Sequence, residues 1–106
     1  MTDTKKIRNL NDEFRRTLCG GRVLATHGVS ALPDMLEVVE EVRNFSAFDE
    51  SNDPHHEHDF GSFKRGDQNF FFKIDYYDLD MTMGSPDPSD PAVTTRVLTI
   101  MLDFEY

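Results

Sequence analysis

His58-Asp59-Phe60-Gly61-Ser62-Phe63-Lys64-Arg65-Gly66-Asp67-Gln68-Asn69-Phe70-Phe71-Phe72-Lys73-Ile74-Asp75-Tyr76-Tyr77-Asp78 is the stretch whose reading decides the fold. From Asn69 to Asp78 the even positions are Phe70, Phe72, Ile74 and Tyr76, and the odd ones include Asn69, Lys73 and Asp75. Side chains alternate across a strand, so one face of this segment is an aromatic, buried row and the other is wet. Arg65-Gly66-Asp67-Gln68 supplies the bend, with Gly66 at the position where a two-residue type II′ turn needs a positive φ. That turn sets the register of a β-hairpin. Arg65 faces Gln68, Phe63 faces Phe70, and Gly61 faces Phe72, where the missing side chain leaves room for a ring. On the other face Ser62 meets Phe71, Phe60 meets Lys73, and His58 meets Asp75. Asp59 falls on the buried face opposite Ile74, so regular pairing is expected to begin near Phe60 or to be bulged there.

Upstream, Ile7, Leu10, Phe14 and Leu18 form an apolar stripe with helical spacing over 4–19. Thr2 or Asp3 caps its start, and Gly20-Gly21 ends it in the left-handed conformation. Lys5, Lys6, Arg8, Arg15 and Arg16 are expected on its exposed sides. A short strand follows at 22–27, and a second helix at 34–45 carries Met35, Val38, Val39, Val42 and Phe45 inward. Asp34 with Glu37 three residues on has the pattern of a capping box. Three prolines within Pro86-Asp87-Pro88-Ser89-Asp90-Pro91 make a stiff loop. The last strand, at 95–104, has Leu98, Ile100, Leu102 and Phe104 on one face. Val97 and Met101 make its other face partly apolar, which suits a central place beside 69–78. The expected fold is α+β: a single domain over 1–106, with an antiparallel sheet of four strands (22–27, 59–65, 69–78 and 95–104) and two helices packed on one face.

The chain is acidic, with 20 Asp and Glu against 11 Lys and Arg and a net charge of −9. The charge is uneven. Residues 1–24 carry six basic and three acidic side chains, and residues 25–106 carry five and seventeen. Direct nucleic-acid binding needs basic groups against phosphate, so the acidic bulk argues against it and favours a basic protein surface as partner. One cysteine, Cys19, permits no internal disulfide and suits a reducing compartment. No apolar run has membrane-spanning length and the polar start is not a secretory signal, so the expectation is a cytoplasmic protein with no membrane partner.

Four blocks carry a resemblance: Ile7 to Arg16, Glu57 to Phe63, Lys73 to Asp78, and Thr94 to Leu102. Together they resemble an uncharacterised alphaproteobacterial family, a domain of unknown function (DUF3768-like), often found near plasmid or phage genes. The resemblance covers nearly the whole chain. It implies a bacterial cytoplasmic protein in a mobile-element setting, where small acidic inhibitors of restriction enzymes and CRISPR complexes are common. It brings no catalytic residues and no cofactor.

The residues themselves offer two chemistries. Asp53, His55, His56, His58 and Asp59 gather imidazoles and carboxylates at the hairpin entrance. His55 and His58 are three apart, with Asp75 opposite, and His27 ends another strand; a divalent metal held by His55, His58 and Asp75 is one reading. No glycine-rich phosphate loop, serine elbow or cysteine–histidine signature is present, so no catalytic residue is assigned. The other reading uses carboxylates as a surface. Asp34, Glu37 and Glu41 recur along one helix flank at roughly 5–6 Å, and duplex DNA presents a phosphate about every 3.4 Å of axis on each strand, so a row of carboxylates can imitate a phosphate track. With Asp75, Asp78 and Asp80 nearby and the outer-face aromatics Phe71 and Tyr77 as anchors, they would present a nucleic-acid-mimicking face. The partner expected is a basic nuclease or CRISPR effector complex.

Overall fold

The computed structural model describes residues 3–106. Helix α1 (Thr4–Thr17) is followed by strand β1 (Gly21–Ala25), a short helix α2 (His27–Ser30) and helix α3 (Met35–Arg43). Strands β2 (Phe60–Arg65) and β3 (Gln68–Tyr77) form the hairpin, and β4 (Thr95–Leu102) completes the sheet. The strand order is β1-β4-β3-β2. The architecture is α+β.

The hairpin adopts the register set by its turn. Arg65 pairs with Gln68, Phe63 with Phe70, Gly61 with Phe72, Ser62 with Phe71 and Phe60 with Lys73. Gly66 takes φ 58° and Asp67 does not share the positive sign, as a type II′ turn requires. A methyl group on Gly61 would collide with the Phe72 ring, so glycine there is a matter of packing. Regular pairing starts at Phe60, and Ile74 N–H still reaches the Asp59 carbonyl at 2.8 Å.

β4 is central and runs antiparallel to β3, with Phe72 opposite Ile100 and Ile74 opposite Leu98. β1 lies on its other side in parallel orientation, so the sheet is mixed rather than wholly antiparallel. About seventy residues separate β1 from β4, and no local pattern in either strand encodes the direction of so distant a pairing. Every residue of β1 is exposed, as befits a short edge strand. The last strand ends at Leu102; Asp103–Glu105 turn off as one 3₁₀ turn, which leaves Phe104 79% exposed instead of on the buried face.

All three helices bury their apolar residues on the same side of the sheet. Phe14 of α1, Val29 of α2 and Val38 and Val42 of α3 share one core with Phe70, Phe72, Ile74, Leu98, Ile100 and Leu102. The odd-numbered residues of β3, including Phe71, Asp75 and Tyr77, point away from the helices. Asp3 caps α1 by accepting from Lys6 N–H; Thr2, the other candidate cap, lies outside the described residues. The left-handed residue that ends α1 is Leu18, at φ 60°, ahead of Gly20-Gly21. Asp34 occupies the cap position of α3, but its side chain makes no capping bond. Among the described residues, no helix is long and apolar enough to cross a membrane.

Candidate functional site

The acidic residues read along α3 fall on the outward side of the helix layer. Val38 and Val42 take the inner side, which turns Leu36, Glu37, Glu40 and Glu41 to solvent. These four, with Asn44 and Arg65 from the end of β2, line a groove of about 570 Å³. Arg65 crosses from the hairpin to α3, placing Nη2 3.2 Å from Asp34 and Nη1 3.4 Å from Glu41. This cross-link explains the missing cap, because the Asp34 carboxylate is turned to Arg65. Glu40 meets Arg43 at 2.7 Å. Glu37 makes no ion pair among the described residues. Leu36 sits among these carboxylates with 72% of its surface exposed. Leu36 and Glu40 were not among the residues singled out from sequence. The signal was there in Leu36, which lies off the stripe made by Met35, Val38, Val39 and Val42.

The other residues expected at a partner face lie elsewhere. Phe71, Asp75 and Tyr77 are half-buried on the open face of the sheet, with the sheet between them and α3. Asp75 faces its own neighbour Lys73 at 3.1 Å, and that hydrogen bond raises the lysine's pKa. Phe71 packs edge-on with Tyr106 and tilted against Phe60. Asp78 accepts from Thr82 N–H at 3.0 Å and so organises the turn after β3, and Asp80 is exposed in that turn. Asp34, Glu37 and Glu41 are brought together; Phe71, Asp75 and Tyr77 are brought together; the two sets are on opposite sides of the sheet.

The histidine cluster does not assemble as a metal site. Among the described residues, no group of three or more His, Cys, Asp or Glu side chains converges on a position where an ion could sit. His58 precedes the hairpin in the left-handed region, at φ 55°, so it never reaches the register position opposite Asp75. Its ring turns toward α1 instead. Nδ1 lies 2.8 Å from Asp12, Nε2 lies 3.6 Å from Asp53, and the ring stacks on Phe48 at 3.9 Å. Asp53 is buried and also accepts from the backbone N–H groups of Glu57 and His58, each at 3.0 Å. His55 is exposed, and His27 begins α2 beyond β1, the edge strand farthest from β2.

α1 contributes more than its apolar stripe. Arg15, expected on an exposed side, is 2% exposed. It reaches Asp12 at 3.2 Å and the Phe45 carbonyl at 3.0 Å, and lies over the Phe48 and Phe72 rings. Burial lowers its pKa against the opposing pull of Asp12. One turn earlier, fully buried Asn11 donates to the Glu57 carbonyl and to the Tyr76 hydroxyl, and accepts from Arg96 Nε. Tyr76 in turn donates to Glu57 at 2.7 Å, and burial, with that hydrogen bond, raises the phenol's pKa. Burial also raises the Asp59 carboxyl, with Glu57 and Asp53 adding negative charge beside it. This polar layer ties α1 to the loop before β2. Sequence spacing alone placed Asn11 and Arg15 one and two turns from Ile7, but only the long-range partners give a reason to bury them.

A family model described as "Protein of unknown function (DUF3768)" matches residues 25–105. The chain belongs to that family. The matched segment holds the acid-lined groove, the hairpin, His58, Tyr76 and Arg96, whereas α1 and most of β1 lie before it. Comparison with curated proteins and with solved structures gives no match.

Proposed function

We propose that the protein is a non-enzymatic binding protein that offers the groove of α3 to a basic protein surface. The observation that carries this reading is Leu36, 72% exposed in the middle of a carboxylate-lined groove. An exposed leucine loses contact with water on association, and that burial contributes on the order of 1.5–3 kcal/mol when complete. The carboxylates around it set the sign of the partner. Asp34, Glu37, Glu40 and Glu41 face two guanidinium groups, Arg43 and Arg65, so the face keeps a negative balance. Such a face speeds encounter with a cationic surface and rejects an anionic one.

The partner class we propose is a nucleic-acid-binding protein such as a nuclease or a CRISPR effector complex, with its basic groove as the docking surface. Support for that class is electrostatic: the net charge of −9 and its concentration after residue 24. Arg65 neutralises part of the row formed by Asp34, Glu37 and Glu41, and Arg43 pairs with Glu40, so the contact centres on Glu37 and Leu36, with Glu40 beside them, rather than on a long phosphate-like track. Affinity capture from the cells of origin, at low and high salt and with DNA or guide RNA as competitor, tests the reading. Capture of a basic nucleic-acid-binding protein, lost with salt and displaced by nucleic acid, is the expected result. Capture that survives high salt, or of a partner with no basic surface, rejects it.

A further inference from the structure

Two arginines are buried at the α1–sheet boundary, Arg15 on the helix and Arg96 on β4, and the fold treats them differently. Arg15 has a carboxylate, Asp12, at 3.2 Å. Arg96, 3% exposed on the helix-facing side of β4, has none within ion-pair distance among the described residues. Its Nε donates to the Asn11 side-chain oxygen at 2.8 Å, its Nη2 to the Pro88 carbonyl, and its guanidinium lies over the Tyr76 ring. All three partners are neutral. Glu57 acts on it only from farther away, with its carboxylate already taken by Tyr76. Nη1 has no hydrogen-bond partner among the described residues, and Arg96 lines a groove at the surface. Burying a cation without a counter-charge is unfavourable, and a charge perturbed by burial beside a cleft marks a candidate functional site.

A surface groove opens beside Arg96. It encloses about 440 Å³, a volume in the range of ligand pockets, and is lined by the apolar Leu10, Phe14 and Pro91 together with Thr17, Cys19 and Gly20. At Gly21 a side chain would collide with the Phe14 ring and the Arg96 carbonyl, so backbone, ring and β4 meet closely there. Most of its lining comes from residues 1–24, a segment with six Lys and Arg against three Asp and Glu. Glu13 also lines it and is exposed, which disfavours a second negative charge on any ligand. We infer that this groove binds a small organic monocarboxylate, its carboxylate on the Arg96 guanidinium and its apolar body against Leu10, Phe14 and Pro91.

Benzoate and its uncharged counterpart benzyl alcohol are suitable probes, titrated into the labelled full chain and followed by amide and arginine side-chain NMR shifts. Saturable shifts at Cys19, Gly20 and the Arg96 side chain are expected with benzoate at millimolar concentration. Benzyl alcohol should bind about tenfold more weakly, because it lacks the charge-assisted hydrogen bond. Leu10→Trp, which fills the groove without removing Arg96, should abolish the benzoate shifts and leave the rest of the spectrum folded. Protection of the Cys19 thiol from a neutral alkylating reagent gives the same comparison without any substitution. No saturable shift, equal binding of the two probes, or shifts confined to other surfaces would overturn the inference.

Discussion

Asn11 is fully buried and joins three groups: the Glu57 carbonyl, the Tyr76 hydroxyl, and through its oxygen the Arg96 guanidinium, all held from one helical position. Asn11→Ala should destabilise the protein by about 3 kcal/mol, since it leaves a buried arginine nitrogen and a half-buried carbonyl without the asparagine; chemical denaturation measures this. Glu105 plays a comparable role on the surface. Its carboxylate accepts from the Thr26 hydroxyl, the Leu102 N–H and the Gly28 N–H, which holds its pKa below the ordinary 4.5. A carboxyl depressed in the folded state adds stability above its ordinary value, and loses it as pH falls through the folded value. Thermal midpoints should therefore drop below the ordinary glutamate range, and Glu105→Gln should flatten that drop while lowering the midpoint at neutral pH. An unchanged acid profile in the variant would show that the three contacts are not formed. At this scale little was legible in the sequence. Asn11 and Arg15 share helical spacing with Ile7 and Phe14, but a polar residue signals burial only when its partners, here tens of residues away, are known.

From Phe60 to Lys73 the hairpin was legible because everything that fixes it is local: alternation, a glycine at the turn, and a glycine opposite Phe72. Gly61→Ala should cost about 1–3 kcal/mol by overpacking against Phe72 and Phe45, measured as a shift in the denaturation midpoint. Phe72→Ala should cost about 3–5 kcal/mol, as the ring is fully buried in the core. A Phe72 variant of unchanged stability would mean that the faces of β3 are assigned backwards. The parallel direction of β1 had no local signature, and neither did the fate of Asp34. Its spacing to Glu37 fits a cap, yet Arg65, thirty-one residues away, offers the carboxylate a full charge in place of a backbone N–H. His58 shows the same competition. Strand register would set it opposite Asp75, but its left-handed backbone turns the ring to Asp12 and Phe48.

At the scale of the whole molecule, α1 is structurally inseparable from the segment that matches the family. It supplies Phe14 to the core and Asn11, Asp12 and Arg15 to the polar layer. A fragment beginning at residue 25 should lack a cooperative unfolding transition in calorimetry, whereas the full chain should show one. The layering also separates the two sets of residues that the sequence joined into one binding face. Spacing along α3 revealed its acidic flank, and alternation along β3 revealed its outer aromatics. Neither pattern carries information about which side of the sheet the helix covers. The central claim is therefore that association runs through the helix layer. It is tested most directly by measuring capture of the same partner by three variants: Leu36→Ala, the double charge reversal Glu37→Lys with Glu40→Lys, and Phe71→Ala on the open sheet face. The account predicts weakening of about tenfold or more for the first two and wild-type capture for the third. Wild-type capture by the α3 variants, with loss in Phe71→Ala, would contradict it.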